Sequence, residues 1–314
     1  MAYFPYFRGK QYELVLIREQ AKNLVGWGVS PIVEPVKDNF SALRRVIDSV
    51  DKAQCEAWLI VNPKVGALKG RHLHDVPDAK ELCEAVDQSQ HARWLYQLSE
   101  EDDLTRSHAF LAGRPAAAVL HHGDIAAARV ADSLTRGGEV VVPSKHFFMH
   151  QCGERYRSKF NGAPFVKIED GFQRKPRNSD YPDDEFFSDA LLTYASAGFS
   201  GFGDYLIVGR EFLEGGGPAL TVAIHITYRN PADDGALHIR HFKSVSNETA
   251  ENPAEKFAEA LSELVQAVNA QGSAIQRTTA IEEFLALHVA GHFPGLGYVK
   301  KLSMQHHLEL LAGS

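Results

Sequence analysis

The chain has 314 residues, 44% of them hydrophobic and 23% charged, so it can bury a sizeable core. Its formal net charge of −7 argues against a generally basic surface, and direct nucleic-acid binding is not expected. The 3 cysteines form no CxxC pair, and neither a signal peptide nor an apolar run of about 18 residues is visible. We therefore expect a cytoplasmic protein without membrane association.

The first half of the chain repeats one unit, in which a short apolar run ends in a polar cluster and a helical pattern follows. Continuous apolar runs of this kind are typical of strands buried on both faces, and their alternation with helices is typical of parallel βαβ units. The predicted strands are 3–7, 29–34, 56–61, 93–98, 115–120, 139–142 and 163–168. The predicted helices are 10–25, 39–50, 78–88, 100–113, 125–134 and 147–160.

The regular alternation weakens after residue 169. A polar stretch is followed by a predicted helix at 184–197, and the glycines at 215–217 indicate a flexible connection. Alternating residues on both sides of a turn at 230–235 predict a β-hairpin. The hairpin strands are 219–228 and 236–243, and further helices are predicted at 253–270, 279–289 and 303–311. We expect His306 and His307, near the end of the last helix, to be exposed.

Seven β/α-like units and a late hairpin that can supply an eighth strand predict an α/β fold. The expected class is a (β/α)8 TIM-barrel-like fold, irregular in the last third, with the hairpin and extra C-terminal helices. An open doubly wound sheet is the alternative, but no GxGxxG or GxxxxGK[ST] motif follows an early strand. We expect one domain over 1–314, with an irregular insertion at 172–218 and a helical extension at 272–314.

The opening segments 3–13 and 29–35 carry a recognisable motif. They read YFPYFRGKQYE and VSPIVEP, and this start resembles the bacterial and phage "beta family" proteins, whose late region is similar to the turn at 203–205. The resemblance implies a barrel-like fold and an association with phage or bacterial conflict systems. It implies no established reaction. The matching motif positions are Arg8, Gly9, Lys10, Glu13, Glu34, Gly203, Asp204 and Tyr205.

In a barrel of this class, the groups that follow the carboxyl ends of the strands meet at one mouth, where active sites lie. Glu34, Lys167 and Glu169 are the candidate catalytic residues, with a carboxylate as general base. Cationic and polar groups there predict a phosphate- or nucleotide-containing anionic substrate. The candidate substrate-binding residues are Arg8, Lys10, Asn62, Lys64, His121, Asp124, Lys145, Asp204, His225 and His241, and Gln97 and His122 are further groups of this rim.

Other interpretations of the same residues stay open. Glu34 and Arg8 can form a buried ion pair that fixes strand register. A divalent metal can be held by His121, His122 and Asp124 together with nearby carboxylates, although adjacent strand histidines point to opposite faces. The protein is therefore either an enzyme acting on a small anionic ligand or a non-catalytic recognition subunit that binds a protein partner from a defence system.

Overall fold

The computed structural model describes residues 2–136, 138–215 and 220–312. By their contacts these residues form two compact units. The barrel unit comprises the described parts of Met1–Glu169 and Thr193–Asp204, and the sheet–helix unit comprises those of Asp170–Leu192 and Tyr205–Ser314. The single-domain organisation, with its insertion and C-terminal extension, stays a prediction. Gly216 and Gly217 of the expected flexible connection lie outside the described residues.

The described residues contain thirteen β-strands. In chain order they are β1 Tyr6–Phe7, β2 Ile32–Val33, β3 Ala57–Ile60, β4 Ala92–Leu98, β5 Ala118–His121, β6 Thr135–Arg136, β7 Glu139–Val140, β8 His146–Met149, β9 Phe165–Glu169, β10 Asp184–Ser188, β11 Gly201–Asp204, β12 Ala223–Arg229 and β13 Leu237–Lys243.

Ten α-helices are present in the same residues. They are α1 Gln11–Trp27, α2 Ser41–Ala53, α3 Lys80–Gln88, α4 Glu101–Ala112, α5 Ala127–Ser133, α6 Glu154–Arg157, α7 Ala190–Thr193, α8 Pro253–Asn269, α9 Thr279–Ala290 and α10 Leu296–Ala312. None of these helices is both long and apolar enough to cross a membrane.

Eight parallel strands form the TIM-barrel-like fold that the repeating unit predicts. Their order is β1-β2-β3-β4-β5-β8-β9-β11, with helices alternating along the chain. A parallel bridge between Tyr3 and Phe202 joins β11 to the segment just before β1, with Phe4 N–H donating to the Phe202 carbonyl at 2.8 Å. The early strands and their helices are confirmed, and the open-sheet alternative is wrong.

Strand register determines which side chains point toward the barrel axis. Gln97, Leu120, Phe147 and Val166 are paired in one row across β4, β5, β8 and β9, so they share a face. The Phe147 ring contacts the Phe4 and Trp58 rings, with centroids 5.2 and 5.4 Å apart. These rings fill the barrel interior, as expected for a packed barrel core.

The predicted sixth barrel strand is wrong. Residues 139–140 instead pair antiparallel with β6, and Val140 is 63% exposed. The barrel strand is β8, in a stretch that was predicted to begin a helix. Its residues alternate between the axis, where Phe147 packs, and the outer face, where Phe148 packs against Phe165. Both faces are therefore apolar, which is what a strand covered on both sides requires.

The predicted source of the eighth strand is also wrong, because β11 closes the barrel and the hairpin does not. A Cβ at Gly203 would lie 2.0 Å from the Phe4 carbonyl oxygen and 2.8 Å from Ile168 Cδ1. Glycine is thus required where the closing strand meets its neighbours.

The hairpin belongs to the sheet–helix unit. Its strands β12 and β13 form a three-stranded antiparallel sheet with β10, in the order β10-β13-β12. The helix predicted at 184–197 is wrong in its first part, which is β10. Ile226, Phe257 and Phe284 belong to the core between this sheet and helices α8–α10.

The last helix is longer than predicted, and its histidines are not exposed. His306 and His307 are fully buried in α10. Thr278 Oγ1 lies 2.7 Å from His306 Nδ1, and Thr227 Oγ1 lies 2.9 Å from His307 Nδ1. Buried imidazoles keep their hydrogen bonds in this way, so these side chains are part of the core.

Candidate active site

Side chains from five consecutive strand ends meet at the carboxyl end of the barrel. Arg8 follows β1, Glu34 follows β2, Asn62 follows β3, Gln97 lies near the end of β4, and His122 follows β5. Tyr6, Ile32 and Trp58 are paired across β1, β2 and β3, and they mark the face of these strands that points toward the barrel axis. We call this group of residues, together with Tyr6, Lys64 and Asp103, the mouth cluster.

Glu34 is the centre of the mouth cluster. Its side chain is fully buried and forms an ion pair with the Arg8 guanidinium. Tyr6 Oη donates to Oε2 at 2.8 Å, while the Lys64 backbone N–H and Gln97 Nε2 donate to Oε1 at 2.7 and 3.1 Å. A buried carboxylate requires such a shell of donors, and here the donors come from β1 and β4 and from the segments that follow β1 and β3.

Gln97 transmits the orientation of Glu34 to His122. A carboxylate paired with arginine only accepts hydrogen bonds, so the amide group of Gln97 that faces Glu34 must be its NH2. The Gln97 oxygen Oε1 then faces His122 Nε2, 2.7 Å away, and an oxygen can only accept there. His122 therefore carries a proton on Nε2, and in the neutral form of the ring Nδ1 is the acceptor.

Lys64 and Asn62 share a second carboxylate, Asp103, which lies in the first turn of helix α4. Lys64 Nζ lies 2.7 Å from Asp103 Oδ2, and Asn62 Nδ2 donates to Oδ1 at 2.8 Å. Asn62 also exchanges two 2.9 Å hydrogen bonds with the Gln97 backbone. Asn62 thus joins this second pair to the strand that carries Gln97.

Two glycines allow the loops of the mouth to approach each other closely. Gly66 has φ +74°, and a Cβ there would lie 2.4 Å from the Val36 carbonyl oxygen. Gly9 has φ +60°, and its Cβ would lie 3.0 Å from the Glu34 carbonyl oxygen. Both combine a left-handed conformation with close backbone contact, which favours glycine. They hold the loops after β1, β2 and β3 together around Glu34.

Lys10 and Glu13 organise the start of helix α1 beside the mouth. Glu13 Oε2 accepts hydrogen bonds from the backbone N–H groups of Arg8 and Lys10, at 2.6 and 3.4 Å. The carboxylate thus satisfies donors near the helix start, where a negative charge is also favourable. Lys10 is half-buried at the N-cap position.

His121 faces away from the axis, so the neighbouring histidine is the one in the mouth. His121 is paired with Phe148 on the outer face of the barrel, and its ring stacks on Phe148 at a centroid distance of 4.5 Å. His121 Nε2 lies 2.8 Å from His146 Nδ1. Burial lowers the pKa of His146 to about 4 and the pKa of His121 well below its usual range. Both rings are therefore neutral packing elements near pH 7.

Lys167 and Glu169 do not join Glu34. They share the outer face of β9 with Phe165, whereas Val166 and Ile168 point inward. Lys167 Nζ lies 2.7 Å from Glu169 Oε2 on that face. The expectation that all three candidate catalytic residues meet at the mouth is wrong, because strand alternation places the ion pair on the other side of the sheet.

Asp204 and Lys145 also lie away from the mouth cluster. Asp204 is paired with Glu169 on the outer face and accepts a 2.6 Å hydrogen bond from Tyr3 Oη. Lys145 precedes β8, so it lies at the amino end of the barrel, with Nζ 4.9 Å from the centre of the Phe4 ring. Asp124 is exposed on the loop after β5.

His225 and His241 belong to the sheet–helix unit. They face each other across β12 and β13, with their Nδ1 atoms 2.6 Å apart, and His241 Nε2 lies 3.2 Å from Glu185 Oε1. Burial lowers the pKa of His241 to about 4 and the pKa of His225 well below its usual range.

Sequence reasoning missed Asp103 as a site residue. Its acidic segment is typical of a helix start, and the segment does form the first turn of α4. Asp103 lies 39 residues from Lys64 in the chain, and only the meeting of the two strand ends brings them together. In the part of the chain that the structure describes, no three His, Cys, Asp or Glu side chains meet in a way that could hold a metal ion.

No protein-family model matches the chain, and no curated protein matches it.

Proposed function

We propose that the barrel unit is an enzyme that binds a small, phosphate-containing anionic molecule at the mouth cluster and performs acid–base chemistry on it. His122 is the acid–base group. One observation carries the proposal: a hydrogen-bond chain runs from Glu34 through Gln97 to His122, and its donor–acceptor pattern assigns the ring proton to Nε2. A catalytic imidazole needs such a partner to hold its tautomer and orientation.

The two ends of this hydrogen-bond chain have different roles. Glu34 is a positioning residue that orients Gln97, because its carboxylate already accepts hydrogen bonds from Arg8, Tyr6, Lys64 and Gln97. His122 takes a proton from the substrate and returns it to the product. The imidazolium formed in between is stabilised by the Gln97 oxygen, which accepts a hydrogen bond from Nε2.

Lys64 supplies the contact for the anion. Its ammonium carries three N–H donors, and Asp103 takes at most two of them. The side chain is 16% exposed, so it is held by the protein and still borders solvent. Glu100 Oε2 lies 3.9 Å from Nζ, beyond hydrogen-bond distance, so a phosphate oxygen is a suitable acceptor for the remaining donor.

The role proposed for the mouth replaces the one expected for Lys167 and Glu169, which pair on the outer face. The cytoplasmic location that the composition predicts is part of the same proposal, and so is the link to a phage or bacterial conflict system that the family resemblance implies.

The test is substrate discovery with a matched variant. A bacterial small-molecule extract is incubated with the wild-type protein, with His122→Asn and with His91→Asn, and compounds are followed by mass spectrometry. His91 precedes β4, at the opposite end of that strand from the mouth. We expect a phosphorylated compound to be consumed by the wild type and by His91→Asn but not by His122→Asn. Equal consumption by His122→Asn, or no consumption by the wild type, would contradict the proposal.

A non-catalytic recognition subunit is the second candidate. Two arrangements favour it: the Glu34 carboxylate already accepts hydrogen bonds from several protein groups, and Lys64 forms an ion pair with Asp103. Both arrangements are typical of residues that stabilise a fold. If this alternative holds, native mass spectrometry of the protein from its own cells will detect a bound protein partner, while the small-molecule extract stays unchanged.

A further inference from the structure

The sheet–helix unit contains a cavity of about 770 Å³ that no part of the proposed barrel chemistry uses. Its walls come from the segment before β10, from the start of β12 and from the first turns of α10. This volume lies within the range of about 300–1,000 Å³ that is usual for sites binding small organic molecules.

The charge of the cavity wall differs from that of the whole chain. Arg174, Arg177 and Lys300 line it, and no Asp or Glu is found among its described lining residues. Arg174 forms no ion pair within the described part of the chain, and Arg177 is paired with Asp180, which is not part of the wall. In a protein with a net charge of −7, such a local excess of cations attracts an anion.

Three aromatic side chains, Phe172, Tyr181 and His225, line the same cavity as these cations. The Tyr181 ring centroid is 4.8 Å from that of His225, and the Phe172 centroid is 5.1 Å from it. Because the pKa of His225 is lowered well below its usual range by burial, by His241 and by Lys300, the ring is neutral near pH 7. Its Nδ1 is engaged with His241, so Nε2 is the ring nitrogen available to a ligand.

The geometry points to a second binding site, in which this cavity takes a small organic anion that carries a planar aromatic group. The guanidinium of Arg174 and the ammonium of Lys300 would bind the anionic group, with Arg177 nearby. Phe172, Tyr181 and His225 would contact the aromatic part. This site is independent of the barrel mouth, since the two share no residue.

Two fluorescent probes distinguish binding of the anionic group from binding of the aromatic part. The first is 8-anilinonaphthalene-1-sulfonate, and the second is N-phenyl-1-naphthylamine, which has the same ring system without the sulfonate. Both are titrated into the full-length protein, and each variant is first shown by thermal melting to be folded. We expect saturable one-to-one binding of the sulfonate, weaker binding of the neutral probe, and loss of the difference at high salt.

Substitutions locate the site. Arg174→Glu should weaken binding of the sulfonate probe at least about fivefold and leave the neutral probe unchanged. Arg18→Glu makes the same charge change at an exposed position of α1 and should have no effect. Tyr181→Leu should weaken both probes. Equal binding of the two probes, or a sulfonate affinity that neither Arg174→Glu nor Lys300→Glu changes, would overturn the inference.

Discussion

At the scale of single residues, the two buried carboxylates of the barrel mouth show that a buried charge needs polar partners. Glu34 is fully buried and forms an ion pair with Arg8, while Asp103 forms an ion pair with Lys64 and accepts a hydrogen bond from Asn62. A buried ion is tolerated only when its partners replace the hydration it loses. Because these partners come from separate strand ends, each carboxylate also fixes the loops that surround it.

Glu34→Gln should therefore destabilise the protein strongly. The substitution removes the negative charge beside the buried Arg8 guanidinium, and breaking one side of a buried pair costs about 3–5 kcal/mol of unfolding free energy. The measurement is urea denaturation of the purified variant. Glu101→Gln is the control, since Glu101 pairs with Arg129 at the surface and is 57% exposed, so its loss should cost less than about 1 kcal/mol. Equal small losses in both variants would contradict this interpretation.

The neutral histidine pair on the outer face of the barrel predicts a pH dependence of stability. In the folded state the pKa of His146 is about 4, whereas the unfolded side chain titrates near about 6.5. The unfolded state thus binds the proton first as pH falls. The contribution of His146 to the free energy of unfolding is therefore fully present above about pH 6.5. Below that pH it falls by about 1.4 kcal/mol per pH unit.

The measurement compares unfolding free energies at pH 7.5 and pH 5 for the wild type and His146→Phe. The variant should lose about 2 kcal/mol less than the wild type between these pH values. His150→Phe, at the exposed position that follows β8, should keep the wild-type dependence. Parallel curves for the wild type and His146→Phe would show that this histidine does not carry the effect.

At the scale of elements, the sequence predicts strands well where a run is uniformly apolar. It predicts them poorly where packing against distant residues determines which segment becomes the strand. The four residues of β8 are His, Phe, Phe and Met, and such a short run cannot be told from part of a helix by periodicity. The nearby run of three valines at 140–142 was the stronger local signal, yet Val140 is exposed. Only the packing of Phe147 against Phe4 and Trp58 selects β8.

The closing strand β11 shows a similar limit. Its two glycines are unfavourable for a strand by local preference, and the segment carries a single apolar side chain. The glycines are needed because Phe4 and Ile168 occupy the space beside them, which no local pattern shows. In the same way, strand alternation predicted that one of His121 and His122 faces the axis, but only the register with Gln97 identifies His122.

Gly203→Ala and Gly26→Ala should change stability in opposite directions. The first places a methyl group 2.0 Å from a backbone oxygen at the point of barrel closure, so we expect a loss of about 1–3 kcal/mol or more. The second lies within α1 with nothing within 4 Å of the added Cβ, so we expect a gain of about 0.5–1 kcal/mol. Denaturant unfolding of both variants decides, and a neutral Gly203→Ala would argue against the closure described here.

At the scale of the whole molecule, the barrel brings together residues that are far apart in the chain. Tyr3 and Phe202 form the bridge that closes it, and Glu34 meets Gln97 across 63 positions of sequence. The sequence predicted that Arg8, Glu34, Asn62 and Lys64 follow strand ends, and the structure brings these four together. It does not bring Lys167 and Glu169 to them, because a side chain's face depends on register that the sequence leaves open.

The hydrogen-bond chain from Glu34 to His122 is the feature on which the proposed chemistry depends. Nuclear magnetic resonance of protein with 15N-labelled histidine rings measures the tautomer of His122 directly. The geometry predicts a neutral ring protonated on Nε2 at pH 8, and this preference should be lost in Gln97→Leu. A His122 ring that is protonated on Nδ1 in the wild type, or whose tautomer is unchanged in Gln97→Leu, would contradict it.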